Sequence, residues 1–124
     1  MRIYYAHHLW KYNTPIEQYE IYLIKKAFPE AKIVNPNTDI EQNREESETM
    51  SDCIESVESC DALVFSSLDG VIGKGVFDEI NNAREVYYIH GNQVTSFRGG
   101  FDIIKDSTTK RLYATVKTEV NNYR

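Results

Sequence analysis

The 124 residues suffice for one domain, and 41% hydrophobic with 27% charged side chains is a globular balance that excludes disorder over most of the length. A net charge of −5 and a pI near 5.2 exclude a general binder of nucleic-acid polymers, which needs a Lys/Arg surplus to neutralise phosphates. No apolar run approaches the roughly 18 residues of a membrane helix, and Met1-Arg2 leads straight into a strand pattern, so a cytoplasmic protein with no membrane partner is expected.

Arg2 to Ala6 (RIYYA) reads as a buried strand, followed by the polar and aromatic loop His7–Asn13. Thr14-Pro15-Ile16-Glu17 is a strong helix start, with Thr14 as N-cap, Pro15 at the first helical position and Glu17 closing a capping box. Ile16, Tyr19, Leu23 and Ala27 supply its apolar spacing, and it ends before Pro29. Lys32 to Asn35 is a second short strand, and the mixed-charge stretch Pro36–Ser47 reads as a loop or lid. A helix over Glu48–Glu58 carries Met50, Ile54 and Val57. Its Cys53 and the following Cys60 fall on one face, roughly 10 Å apart by the helical rise, too far for a disulfide. The reading for both is a free, buried or half-buried thiol.

Asp61 to Phe65 is a continuous apolar run, the signature of a central parallel strand covered on both faces. Ser66–Gly73 reads as a loop, Lys74–Glu85 as a third helix, Val86–Ile89 as a fourth strand and His90–Gly100 as another loop. Leu112–Thr118 alternates like an edge strand. This order predicts an α/β fold: one doubly wound, flavodoxin- or Rossmann-like domain over residues 1–124. Its mostly parallel sheet has four or five strands with helices on both faces. Ligands of such sheets sit beyond the carboxyl ends of the strands, where strand order reverses.

The most informative segment is Cys60–Ala83, where an apolar strand leads through Asp69, Gly70, Gly73 and Gly75 into a helix that carries Glu79. Glycines let backbone approach a ligand, and a helix start offers free N–H groups to an anion. A carboxylate near that start serves equally as a nucleophile, a base or a sugar anchor. On the structural alternative, the glycines make only a tight turn and Glu79 is a first-turn acid favoured by the helix dipole. His7 and His8 stand at the carboxyl end of the first strand, where either ring suits proton transfer or ligand contact. No metal-ligand spacing is present, and no cofactor is expected. Lys11 is a possible phosphate contact, and Trp10 and Tyr12 are possible base-stacking or interface residues.

Three short motifs stand in order along the chain: Ile3-Tyr4-Tyr5-Ala6, a central strand opened by Asp61, and Gly75-Val76-Phe77-Asp78-Glu79 running on to Ala83. Together they resemble the nucleoside 2-deoxyribosyltransferase superfamily, which includes the deoxynucleoside-monophosphate N-glycosidases. The resemblance covers roughly residues 1–90. It implies N-glycosyl transfer or hydrolysis on a small nucleoside or nucleotide, by a homodimer or higher homo-oligomer. By the same resemblance Glu79 is the nucleophile, Tyr4 orients it and Asp61 is an acid that handles the base. His7, His8, Asp69, Gly70, Gly73 and Gly75 are the substrate-binding candidates. The transferases often carry a further acid just before the glycine, where this chain has Val71-Ile72-Gly73-Lys74. Protonation of the leaving base therefore falls to Asp69, His7 or His8. A non-catalytic nucleotide-binding module of the same fold is the alternative expectation.

Overall fold

A computed structural model describes residues 1–105 and 111–115. The chain runs β1 (Arg2–Ala6), a 3-10 turn (Leu9–Lys11), α1 (Pro15–Ala27), β2 (Lys32–Val34), α2 (Pro36–Asp39), α3 (Glu46–Ser59) and β3 (Ala62–Phe65). It continues through β4 (Val71–Gly73), α4 (Lys74–Asn81), β5 (Val86–His90), β6 (Gln93–Ser96), β7 (Phe101–Lys105) and β8 (Arg111–Thr115). The main sheet has the order β2-β1-β3-β5-β6. Its first four strands are parallel and β6 is antiparallel to β5. The α/β class and the five-stranded, mostly parallel sheet agree with the sequence reading. From β1 the chain goes to β2 on one side and then to β3 on the other, so strand order reverses between β1 and β3.

Alternation along β1 divides the core. Ile3 and Tyr5 pack with Leu23 and Ile24 of α1. Tyr4 and Ala6 pack with Cys53 and Val57 of α3 and with Val76 and Ile80 of α4. All four residues of β3 are buried, as expected of a strand covered on both sides. Both cysteines are free and buried.

The start of α1 is as the sequence predicts, with the Thr14 hydroxyl accepting from the Glu17 N–H at 3.3 Å and Pro15 at the first position. We expect Thr14→Ala to cost about 1 kcal/mol, read as a lower denaturant midpoint at unchanged slope. The buried face of α1 is a correction. Ile16 (54%) and Tyr19 (48%) are exposed, and Ala27 is exposed too, whereas Glu17, Glu20, Leu23 and Ile24 are buried. The two glutamates turn inward because buried donors, described below, satisfy them.

Several loops hold short elements. The stretch 36–47 opens with α2, whose entry is fixed by a reciprocal pair: the Asn35 side chain accepts from Asn37 N–H (3.0 Å) and Asp39 accepts from Asn35 N–H (2.8 Å). α3 begins at Glu46, not Glu48. β4 lies in the expected 66–73 loop and joins β8 and β7 in a separate antiparallel sheet. β6 lies in the expected 90–100 loop, an edge strand with only Val94 as an apolar side chain. α4 ends at Asn81 rather than Glu85. The expected strand Leu112–Thr118 is β8 as far as Thr115, and 116–118 lie outside the described residues. Among the described residues no helix is long and apolar enough to cross a membrane.

Candidate active site

β1 and α4 meet at the residues that the sequence pairs. The Tyr4 hydroxyl donates a hydrogen bond to Glu79 Oε2, 75 residues apart in sequence. Tyr4 is fully buried and Glu79 is 5% exposed. Because α4 starts at Lys74, Glu79 lies in its second turn and is not a first-turn acid favoured by the dipole. Cys53, on the inner face of α3, brings its thiol to the same pair. The sequence marks Cys53 only as a core thiol; nothing local shows that its stripe meets α4 at Glu79.

The electrostatics set this carboxylate apart. Burial pushes the Glu79 carboxyl up to about 7, against donation from Tyr4 and Cys53, and the nearby Asp78 charge adds to the rise. Burial and then the Glu79 charge raise Tyr4 far above the ordinary phenol range, so it stays a donor. Burial pushes the Cys53 thiol up to about 11. Burial, and next the Glu79 charge, also raise Tyr12, which places the loop after β1 within the field of the carboxylate. Among the described residues no salt bridge reaches Glu79.

The other face of β1 supplies a comparison. There the Tyr5 hydroxyl donates to Glu20 Oε1 at 2.5 Å, an arrangement much like Tyr4 and Glu79. Glu20, however, is neutralised by Lys11 Nζ at 2.9 Å and also accepts from Ser66 Oγ at 2.7 Å. One strand thus holds two buried tyrosine–glutamate pairs, and among the described residues only one of them is salt-bridged to a cation. A buried carboxylate lacking a cation is costly, and such groups concentrate at functional sites.

We expect Tyr4→Phe to raise the Glu79 pKa further and to move any pH–rate midpoint governed by Glu79 upward. An unchanged midpoint would show that the hydroxyl does not tune the carboxylate.

The remaining candidates are placed as follows. The His8 ring lies against Gly73, the N-cap of α4: a Cβ there would stand 3.4 Å from His8 Cδ2. His8 also meets Trp10 edge-on at 4.9 Å, and Trp10 is 78% exposed. Gly75 faces Met50 Sδ, with 3.7 Å to a Cβ built there. The structure therefore brings the loop after β1 against the start of α4. Asp69 (φ 51) and Gly70 (φ 82) are the two central residues of a tight turn, closed by hydrogen bonds between Leu68 and Val71 in both directions. Left-handed backbone at both positions is what Asp-Gly hairpin turns supply. So Gly70 is explained by turn geometry, while Asp69 stands exposed at the tip.

Other candidates are not brought to Glu79. Asp61 precedes β3 at the amino end of the parallel strands, exposed, accepting from the Arg2 N–H at 2.8 Å. His7 is 4% exposed and stacks on Tyr5 at 3.7 Å. Its Nε2 is 2.8 Å from Glu17 and its Nδ1 is 3.1 Å from the Tyr5 carbonyl. Burial holds the His7 pKa below its usual value, opposed by Glu17 and that carbonyl. Glu17 is held below the carboxylate range despite burial, by donation from His7, Asn13 and Asn37. Its carboxylate reaches Asn13 N–H rather than Thr14 N–H, so the expected capping box is shifted by one residue. Lys11 is 5% exposed and ion-paired, which removes it as a phosphate contact. Among the described residues no group of three or more His, Cys, Asp or Glu side chains is arranged to hold a metal ion.

No known family model matches the chain, and no curated protein matches it significantly.

Proposed function

We propose that this chain is an N-glycosyl transferase or hydrolase acting on a (deoxy)nucleoside or its 5′-monophosphate, with Glu79 as nucleophile. The observation that carries the reading is the Tyr4–Glu79 pair: a buried carboxylate with no salt bridge among the described residues, poised near neutrality and held by a tyrosine hydroxyl. The resemblance of the flanking motifs supports the same assignment. So does the strand order, read as the doubly wound arrangement with its reversal beside β1.

In this mechanism a Glu79 oxygen attacks the anomeric carbon of the sugar as the carbon–nitrogen bond to the base breaks. The base leaves with the bonding pair and takes a proton. We assign that proton to His8, whose ring lies against the N-cap of α4, since imidazole suits proton transfer near neutral pH. Water or a second base then attacks the glycosyl ester and frees Glu79. Tyr4 fixes the attacking oxygen. The exposed Trp10 face offers a planar surface for a base.

The rival reading is a nucleotide-binding module of the same fold, favoured by the low exposure of Glu79. Incubation with deoxynucleosides and their 5′-monophosphates, with and without a second free base, separates the two. Base release that Glu79→Ala abolishes supports catalysis, and exchange distinguishes transfer from hydrolysis. Thermal stabilisation by a nucleotide without base release supports the binding module.

A further inference from the structure

Lys11 sits in the loop that follows β1, yet its ammonium is buried beneath the point where strand order reverses. It makes three donations. One goes to Glu20 Oε2 of α1 (2.9 Å), and two cross to the loop after β3, to Ser66 Oγ (2.8 Å) and the Ser67 carbonyl (2.9 Å). The crossing continues outward. Ser67 Oγ is 3.0 Å from the Tyr88 hydroxyl and accepts from the Gly70 N–H at 3.1 Å, at the turn that presents Asp69. Behind Lys11, Asn37 donates to Glu17 at 3.1 Å and to Asn13 Oδ1 at 3.0 Å, tying α2 to the same loop.

We infer that Lys11 is a positioning residue that spans the floor of the crevice between β1 and β3 and fixes the spacing of the loops bearing His8–Tyr12 and Ser67–Gly70. The inference rests on the proposed glycosyl chemistry for its kinetic consequence but not for its geometry. The three N–H groups of the ammonium match three acceptors on two separate elements. The Tyr4–Glu79 pair lies on the opposite face of β1, so loosening the clamp displaces the crevice walls without altering the nucleophile's own partners.

The test uses two variants of the full chain. Lys11→Met/Glu20→Gln removes both charges together and avoids an unpaired buried carboxylate. Ser66→Ala cuts one strut and keeps the ion pair. Kinetics of base release and amide hydrogen exchange are measured on each, beside wild type and Glu79→Gln. The double variant is expected to raise KM on the order of tenfold, with a smaller fall in kcat and an unmoved pH midpoint. Exchange should quicken at residues 8–12 and 67–70, and Ser66→Ala should shift the same way by less. Wild-type KM and wild-type exchange in a folded double variant would overturn the inference. Should the double variant not fold, Ser66→Ala decides alone by the same two readouts. Absence of base release from wild type would count against the glycosyl reading instead, and exchange at the two loops would then decide the clamp.

Discussion

The Glu79→Gln protein is expected to lose base release by about a thousandfold or more, and yet to melt higher than wild type at alkaline pH. Both effects come from one feature, a carboxylate raised from its ordinary 4.5 to about 7 chiefly by burial. An acid whose folded pKa is raised binds its proton more tightly in the folded chain. Its charge therefore costs nothing below about pH 4.5; the cost grows as pH rises from about 4.5 to about 7 and is complete above that. A displacement of that size corresponds to on the order of 3 kcal/mol at full ionisation. The substituted glutamine carries no charge, keeps an oxygen for the Tyr4 hydroxyl and avoids that cost. The melting curves of the two proteins should converge near pH 4.5, separate as pH rises towards about 7, and stay apart at a constant distance above it. Equal melting temperatures at pH 9 would show that the carboxylate is compensated in a way the Tyr4–Glu79 geometry does not reveal. A site residue whose removal stabilises the fold while abolishing turnover has been retained for chemistry.

The second large effect is on stability alone. Lys11→Met is expected to destabilise the fold by about 3–5 kcal/mol, because it leaves Glu20 as an unpaired buried carboxylate. Tyr5 and Ser66 still donate to Glu20, but two neutral donors do not replace an ammonium at 2.9 Å. Against a total stability of about 5–15 kcal/mol for a domain, that loss removes a third or more. Adding Glu20→Gln should recover most of it, since the second change removes the stranded charge. Chemical denaturation of the single and double variants reads both values. A single variant within about 0.5 kcal/mol of wild type, the range of ordinary surface changes, would contradict the burial of the pair.

Much of the frame was legible in the residue pattern. RIYYA and ALVF are short apolar runs bounded by polar turns, and each is a strand; Thr14-Pro15 marks a helix start by its own chemistry. Elements that owe their existence to a partner were not legible. β4 has three residues and depends on β8, while β6 is a polar edge strand that depends on β5. The face of α1 misled for a physical reason. Apolar spacing favoured Ile16 and Tyr19, but Glu17 and Glu20 go inward because His7, Tyr5 and Lys11 wait there, and no periodicity encodes distant partners.

The candidate site divides in the same way. Glu79 and Tyr4 were legible through motif order, and the structure brings them into contact. Cys53 was not, because its helical stripe reads as core whatever lies opposite. Asp61 was legible as the opening of a strand, but a position before β3 is at the end of the sheet away from the reversal crevice. Lys11 read as a phosphate contact in a polar loop, and only the fold shows it buried against Glu20.

The most direct test is to quench the protein rapidly in acid during incubation with deoxynucleosides and their 5′-monophosphates, then to map its peptides by mass spectrometry. Nucleophilic attack predicts a deoxyribosyl adduct (or its phosphate) on the peptide bearing Glu79, present with a reactive substrate and absent in Glu79→Gln. Base release with no adduct, or an adduct that survives the substitution, would contradict Glu79 as the nucleophile.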